Sequence, residues 1–421
     1  MTTSSAVTTA AVTRISASQL PAYFLVFVGA LIALGPLTMD AYLPALPTLA
    51  DFFGVDIRLV SATVSTYLLG YSIGQFFGGP ISDQIGRKVI GLSGLTLFLC
   101  ATLGILFASS VEQVLVWRFV QALGGGFATV ISMALVRDVF SPIEAGKRFA
   151  VVMMIVMLAP LVAPAVGTYL LHFGWHAIFW LFAIYALVLG LILTWVIPET
   201  NTGPRRSISL LAVFRQYWAV ISHRHNGQRV AIRFPVAMAL SGSVIMIFIT
   251  QSAFLYMDYF QVSETWFPVL FGANVLVLIG NNFISMRLLG RCDPQAMFRF
   301  GMRFQLLVVA AFFLVVLFDL ARLPVVVPLI MLSVGSMGLI NPAGMTLYMS
   351  FFPTQGGSAS AAFTTLMFSL GGLLGALPSL LPGHGLLPLA SVMLAAILSG
   401  NLISRTIPPV SLDDVPAAAR A

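Results

Sequence analysis

Long apolar runs separated by short polar segments set the pattern of this chain. A transmembrane helix needs about 20 consecutive apolar residues, and the sequence contains twelve runs of that order. They lie at residues 22–43, 58–79, 89–109, 113–136, 147–171, 175–197, 232–256, 265–287, 297–318, 324–350, 357–381 and 384–404. The pattern predicts an all-α membrane protein with twelve transmembrane helices.

The longest polar interruption, residues 198–231, divides these runs into two sets of six. Within it, residues 208–221 have the mixed apolar and polar pattern of an amphipathic helix on the membrane surface. The sequence therefore predicts an N-terminal tail over 1–21, a six-helix bundle over 22–197, a linker over 198–231, a second bundle over 232–404 and a C-terminal tail over 405–421. Two pseudo-symmetric six-helix halves are typical of secondary transporters.

Composition excludes several functions. Of the 421 residues, 59% are hydrophobic and 8% are charged, which fits no soluble globular protein of this length. The net charge of +7 is spread over short loops, so nucleic acid is not an expected partner. The sequence lacks a phosphate-binding loop, a cluster of metal-ligating residues and a nucleophile–base spacing, so we expect no cofactor, no metal and no enzymatic activity.

Lysine and arginine positions predict the orientation. If the N-terminus is cytoplasmic, only Arg58 and Arg322 fall outside and Arg118 falls within a span, while every other Lys and Arg is cytoplasmic. Short cytoplasmic loops collect these residues. We therefore expect both termini on the cytoplasmic side.

A polar turn between the second and third runs combines glycines with charged residues. It reads Gly79-Pro80-Ile81-Ser82-Asp83-Gln84-Ile85-Gly86-Arg87-Lys88. Gly79 and Gly86 allow a tight turn with positive φ and close helix approach. Asp83 can accept bonds from free helix N–H groups or from Arg87. Arg87 and Lys88 mark a cytoplasmic turn.

This turn resembles the loop between helices 2 and 3 of the major facilitator superfamily, whose pattern is G-x-L-x-D-x-x-G-R-K/R, with Ile81 in place of leucine. A plain basic membrane turn is the alternative. Asp138 ends the fourth run nearby, so it could form an ionic cluster with Asp83 and Arg87. The resemblance implies that this cluster is a conformational latch, whereas the competing interpretation is a solvated salt bridge of little consequence.

Asp40 and Arg118 are ionisable residues inside predicted spans. Each costs several kcal/mol there unless it faces a cavity or a partner, so function is the default interpretation. Both lie roughly 6–8 Å below the predicted outer surface, at about 1.5 Å per residue, which permits a shared polar network. The alternatives are a static ion pair, or an Asp40 that simply reaches the outer water.

The first run resembles the first helix of proton-coupled drug exporters. It contains Asp40-Ala-Tyr-Leu-Pro-Ala-Leu-Pro47, which is similar to the D-x-Y-L-P-A-L-P stretch of the bicyclomycin-resistance (Bcr/CflA) subfamily. Pro36 and Pro44 interrupt the helix hydrogen bonds near the acid. On this resemblance, Asp40 loads and releases the coupling proton. An apolar cavity disfavours a charged carboxylate, which suits that role.

The fourth run contains the pattern R-x-x-Q-x-x-G, similar to the family's fourth-helix motif. Arg118 and Gln121 share a helix face, and Gly124, Gly125 and Ala128 form a small-residue strip for close helix contact. The resemblance implies that Arg118 modulates the proton site and that Gln121 faces substrate. A helix–helix hydrogen bond is the alternative for Gln121.

The fifth run resembles the antiporter motif G-x-x-x-G-P-x-x-G-G. Pro164 and Gly167 are present, Pro160 precedes them, and Ala159, Ala163 and Thr168 take three glycine positions. The motif bends a helix and seals the two halves against leak. An ordinary proline-kinked span is the alternative.

The second half offers four polar candidates for the substrate cavity. They are Gln251, Tyr256, Asn274 and Asn341. Each is as easily explained by a helix–helix hydrogen bond.

These resemblances imply a monomeric major facilitator transporter of a bacterial inner membrane. It would export small amphipathic compounds, antibiotics among them, in exchange for protons by alternating access. A dedicated transporter of one metabolite class, such as a nucleoside, amino acid or siderophore, is one alternative. A membrane sensor or assembly protein that uses the fold without transport is another.

Overall fold

The computed structural model describes residues 20–21, 23–201, 208–223, 230–289, 291–352, 356–381 and 385–408. Within them, α-helices follow one another through short turns, and no strand is formed. The first helices are α1 Phe24–Asp40, α2 Leu46–Phe53, α3 Ile57–Ile85, α4 Arg87–Leu106, α5 Val111–Val139, α6 Pro142–Leu171, α7 His176–Trp195 and α8 Leu210–Ile221. They are followed by α9 Val230–Ala253, α10 Phe267–Leu288, α11 Pro294–Leu317, α12 Leu323–Gly335, α13 Met337–Ser350, α14 Gly356–Leu380 and α15 Leu387–Arg405.

The predicted all-α, multi-pass architecture is confirmed. Within the described ranges, eleven helical stretches are long and apolar enough to cross a membrane. The predicted second span is α3, which has 29 residues but is less apolar because many of them are serine, threonine, glycine or tyrosine. With α3, the helices match the twelve-helix arrangement expected from the sequence. The limits of the two halves and of the tails stay a prediction.

The first span is longer than predicted. Its apolar stretch runs from Phe24 to Phe53 over 30 residues, and Asp40 is the last residue of α1 within it. Pro44 has no N–H to donate to the carbonyl of Asp40, so α1 ends there, and the chain restarts through a 3₁₀ turn and α2. The predicted end of the first span at residue 43 was therefore too early, because the chain continues as helix after Pro44, and the depth of Asp40 in the membrane stays a prediction.

Two other spans are irregular. The predicted run 324–350 consists of α12 and α13, with Ser336 between them. The seventh span continues from α9 into a π-helical segment, Phe254–Tyr259. Such irregular backbone is tolerated in a membrane only where protein surrounds it or a cavity borders it.

The helix α5 packs closely against both α3 and α4. A methyl group on Gly124 would lie 2.6 Å from the carbonyl oxygen of Gly94 in α4. A methyl group on Gly126 would lie 2.5 Å from the carbonyl oxygen of Tyr71 in α3. The predicted small-residue strip is therefore correct at Gly124, while Gly126 rather than Gly125 makes the second close contact. This packing fixes the position of Arg118, the ionisable residue inside the span that α5 forms.

The linker helix α8 lies where the sequence predicts it. Tyr217 donates a hydrogen bond to the carbonyl oxygen of Phe76 at 3.1 Å, and the two rings stack with centroids 4.2 Å apart. Burial raises the pKa of the Tyr217 phenol, so it stays a hydrogen-bond donor. The helix also exposes large apolar side chains at Leu211, Phe214 and Trp218, as expected of a helix at a membrane surface.

Contacts near the predicted outer side join the two halves. The Thr168 hydroxyl of α6 donates to the carbonyl oxygen of Glu264 at 3.3 Å. The guanidinium of Arg58 lies over the ring of Phe254, 4.8 Å from its centroid. The fifth predicted span thus contacts the second half directly at Thr168, and its role as a seal stays a prediction.

We expect Gly124→Val to destabilise the protein by about 1–3 kcal/mol, because the added side chain meets the backbone of α4. Gly190→Val is the matched control, since a methyl group on Gly190 would have no neighbour within 4 Å. Thermal unfolding of the two variants in detergent measures the difference. Equal stability would show that α4 and α5 are not held at this distance.

Candidate transport cavity

A cavity of about 340 Å³ lies between the two halves. Its walls are mostly aliphatic and aromatic side chains from α1, α3, α6, α9, α10, α12 and α14. The polar lining residues are Asp40, Tyr67, Tyr71, Gln75 and Asn274. An apolar cavity with a few polar groups is the usual form of a small-molecule site.

Asp40 brings a carboxyl group to this cavity from the end of α1. The residue is 2% exposed, and its Oδ1 atom has no hydrogen-bond partner among the described residues. No cationic side chain in the described part of the chain forms an ion pair with it. A charged carboxylate is costly in such surroundings, so the group favours either a bound proton or a partner supplied from the cavity.

Arg118 is completely buried and lies between two tyrosine rings. The guanidinium carbon is 4.4 Å from the ring centroid of Tyr42 and 4.4 Å from that of Tyr67. Its Nη1 atom donates to the Gln121 side-chain oxygen at 2.8 Å, and its Nη2 atom lies 3.5 Å from the carbonyl oxygen of Thr38. Two aromatic faces and these acceptors compensate the charge in place of a carboxylate.

Asp40 and Arg118 therefore do not form the static ion pair considered from the sequence. Tyr67 connects the two regions, because it lines the cavity beside Asp40 and also covers Arg118. Sequence analysis missed both tyrosines. Tyr42 lies inside the stretch that carries Asp40, and its ring could have been recognised there as a cation-binding face.

The structure places Gln121 and Gln251 in contacts between helices. The Gln121 side chain donates to the Thr102 hydroxyl at 2.7 Å. The Gln251 side chain donates to the carbonyl oxygen of Gly375 at 3.2 Å and to the Ser379 hydroxyl at 3.1 Å. Neither glutamine is among the residues that line the cavity.

Among the candidates of the second half, Asn274 reaches the cavity. It is 1% exposed, and its side-chain nitrogen donates to the carbonyl oxygen of Leu270 at 2.7 Å. Asn274 lies beside the buried hydroxyl of Tyr256, and neither that hydroxyl nor the Asn274 Oδ1 atom forms a close hydrogen bond among the described residues. The Oδ1 atom of Asn341 is also unpartnered there, but this residue does not line the cavity.

The antiporter-like segment packs against the break in the first span. Pro160 and Pro164 lie inside α6, and Pro160 lines the cavity. A methyl group on Gly167 would collide with the carbonyl oxygen of Ala41, the residue after Asp40. Only glycine fits at this approach. The segment therefore contacts the backbone that carries the carboxyl group.

The predicted ionic cluster is assembled on the predicted cytoplasmic side. The Arg87 Nε atom donates to Asp138 at 3.0 Å, and Arg87 also forms an ion pair with Asp83. Its Nη1 atom donates to the Ser82 hydroxyl at 2.6 Å. All of these residues belong to the first half, and the role of the cluster as a latch stays a prediction.

Glu199 is a member of this region that sequence analysis missed. Its carboxylate accepts hydrogen bonds from the backbone N–H groups of Arg87, at 2.9 Å, and Lys88, at 3.1 Å. These bonds cap the start of α4. Gly86 has φ = +114°, and a methyl group there would lie 2.6 Å from Glu199. The positive φ expected at Gly79 was wrong, because α3 continues as a helix to Ile85.

We expect Tyr42→Leu to destabilise the protein by about 2 kcal/mol more than Tyr42→Phe, because phenylalanine keeps an aromatic face over the buried guanidinium. Both variants lose the contact with the Thr63 hydroxyl, which is 3.0 Å long. The comparison is repeated with Arg118→Met, where the difference should shrink. An unchanged difference in that background would mean that the ring acts through packing alone. Thermal unfolding in detergent supplies all four values.

Comparisons with known proteins agree with this architecture. The family model "Major Facilitator Superfamily" matches residues 21–376. A bicyclomycin resistance protein homolog from Haemophilus influenzae is 28% identical over 355 residues, covering 84% of this chain and 88% of that protein. The multidrug transporter MdfA of Edwardsiella piscicida is 30% identical over 267 residues, covering 62% of this chain and 63% of that protein.

A solved structure supports the fold independently of close sequence similarity. The crystal structure of a D-xylose-proton symporter has a TM-score of 0.72 at 14% identity, covering 91% of this chain and 97% of that one. The matched region includes both the central cavity and the turn between α3 and α4. The chain is a multi-pass membrane transporter rather than an enzyme, and it belongs to the Major Facilitator Superfamily.

Proposed function

We propose that this transporter exports small amphipathic compounds, antibiotics among them, in exchange for protons across a bacterial inner membrane. The observation that carries the proposal is the buried carboxyl of Asp40, which borders an apolar cavity and has an oxygen without a partner among the described residues. In this proposal the carboxyl binds either a proton or a substrate group that compensates its charge.

The cavity and the relatives support the choice of substrate class. Aliphatic and aromatic walls favour ligands with a large apolar part, and methionines such as Met39 and Met246 adapt to different shapes. The relatives' names are "bicyclomycin resistance protein homolog" and "multidrug transporter", which points to drugs as cargo. A dedicated carrier of a very polar metabolite would need more polar groups in the cavity.

Exchange follows from competition at one site. When the cavity faces outward, Asp40 takes a proton and the substrate leaves. The two halves then rock about the cavity, the proton leaves to the cytoplasm and new substrate binds. Arg118 acts from a distance in this scheme, by holding Tyr67 and the end of α1 in place.

The remaining parts of the proposal concern orientation and control. We propose that both termini are cytoplasmic, because the loops on the same side of the predicted helices as the termini carry most of the Lys and Arg residues. The cluster of Asp83, Arg87 and Asp138 is proposed to rigidify the cytoplasmic end of the first half as the halves move. We propose that a single chain is the working unit, since the cavity lies between its own two halves.

We expect Asp40→Asn to abolish proton release coupled to drug transport, because the amide cannot carry a proton in exchange. Everted membrane vesicles are energised to an acid interior, and collapse of the pH gradient is recorded as amphipathic drugs are added. The matched control is Asp51→Asn, at the exposed end of the same span.

The outcomes distinguish drug:proton antiport through Asp40 from a dedicated carrier and from a proton site elsewhere. Drug-dependent collapse in wild type and in Asp51→Asn, but not in Asp40→Asn, supports drug:proton antiport through Asp40. Collapse with a single metabolite alone replaces the drug-export proposal with a dedicated carrier. Equal collapse in Asp40→Asn and wild type would contradict the proposed proton site.

Asn274 is proposed to accept a hydrogen bond from the substrate. We expect Asn274→Leu to raise the half-maximal concentration about tenfold for drugs that bear an N–H or O–H donor, because one buried bond is lost. Quaternary ammonium analogues without a donor should change little. Asn281→Leu is the control, because its side chain donates to the carbonyl oxygen of Gly335 outside the cavity. Equal shifts for both ligand types would contradict this role.

A further inference from the structure

A second cavity lies between the ends of α11 and α15 on the predicted cytoplasmic side. Its volume is about 160 Å³, and its lining residues are Arg299, Arg303, Asn401, Ser404 and Arg405. Asn401 and Ser404 are each 4% exposed, so they lie deep in the cavity. The three arginines bring three positive charges to one small volume.

No carboxylate of the described residues forms an ion pair with any of these three arginines. Arg299 is held over the cavity, because its Nη2 atom donates to the carbonyl oxygen of Ile407 at 2.7 Å. Arg303 and Arg405 are exposed. A cluster of guanidinium groups matches the oxygens of a phosphate group.

Exposed leucines continue from the arginines toward the middle of the membrane. On α11, Leu307 follows Arg303 by one helical turn and is 69% exposed. On α15, Leu402 precedes Arg405 by three residues and is 61% exposed. Both helices therefore present a cationic end and an apolar flank to the same side. This combination fits a molecule with an anionic head and long apolar chains.

We propose that this cavity binds the phosphate of an anionic phospholipid of the cytoplasmic leaflet, whose acyl chains lie along Leu307 and Leu402. Basic pockets between transmembrane helices on the cytoplasmic side are suited to such headgroups. The site is separate from the transport cavity, with which it shares no lining residue.

The test measures lipid binding to the purified full-length chain in detergent by native mass spectrometry. The probes are cardiolipin, phosphatidylglycerol, phosphatidylcholine and inorganic phosphate. We expect the two anionic lipids to bind. Each single substitution, Arg299→Gln, Arg303→Gln or Arg405→Gln, should weaken binding about fivefold, and the triple variant should weaken it more than tenfold.

The matched control removes the same charge elsewhere on the predicted cytoplasmic side. Arg137→Gln, Arg287→Gln and Arg291→Gln are combined, because all three arginines are exposed and none lines the cavity. This control variant should bind anionic lipid as the wild type does. Equal weakening in the control and cavity variants would overturn the proposal, because binding would then depend on net charge alone.

Three other occupants would give different results. If inorganic phosphate displaces the lipid at equal concentration, or phosphatidylcholine binds equally well, the cavity does not select an anionic phospholipid and the proposal fails. Residues 409–421 lie outside the described part of the chain and contain Asp413 and Asp414. If anionic lipid binds only after Asp413→Asn and Asp414→Asn, the acidic tail is the natural occupant, which also overturns the proposal.

Discussion

The charge of Arg118 is the constraint on which the first half of the molecule depends. The guanidinium is fully buried, and no carboxylate of the described residues pairs with it. The positive charge is compensated by two aromatic rings, that of Tyr42 just after the end of α1 and that of Tyr67 on α3. Since Arg118 itself lies on α5, one charge defines how three elements must meet. The glycine contacts of α5 then supply the short helix distances that this arrangement needs.

Because the tyrosines compensate Arg118, Asp40 is left without a fixed counter-ion among the described residues. A buried ion pair would hold both groups in place, and separating it would be costly. A carboxyl that borders a cavity and has an oxygen without a partner among the described residues can instead bind a proton or a ligand group that enters the cavity. In the proposed exchange, this freedom lets a proton and a substrate replace each other without first breaking a salt bridge.

The sequence predicted the membrane helices well, since the bilayer thickness dictates their length. It was less reliable at the end of the first span, which was predicted at residue 43, because the helix stops at Asp40 but the apolar stretch continues after Pro44 to Phe53. The sequence pattern could not distinguish polar residues that line the cavity from polar residues that bond a neighbouring helix. Gln251 and Asn274 look alike in sequence, but one bonds a neighbouring helix and the other borders the cavity. Glu199 acts on residues more than a hundred positions away, which local patterns do not reveal.

The adjacent residues Gly167 and Thr168 face two different parts of the protein. Gly167 touches the backbone of Ala41, next to the carboxyl group, while Thr168 bonds the opposite half at Glu264. A single peptide unit therefore joins the acid-bearing segment to the boundary between the halves. If that boundary opens, either the hydrogen bond from Thr168 to the Glu264 carbonyl breaks, or α6 and the segment around Asp40 move together. In the proposed transport cycle, this segment of less than one helical turn would therefore couple the movement of the halves to the position of the buried acid.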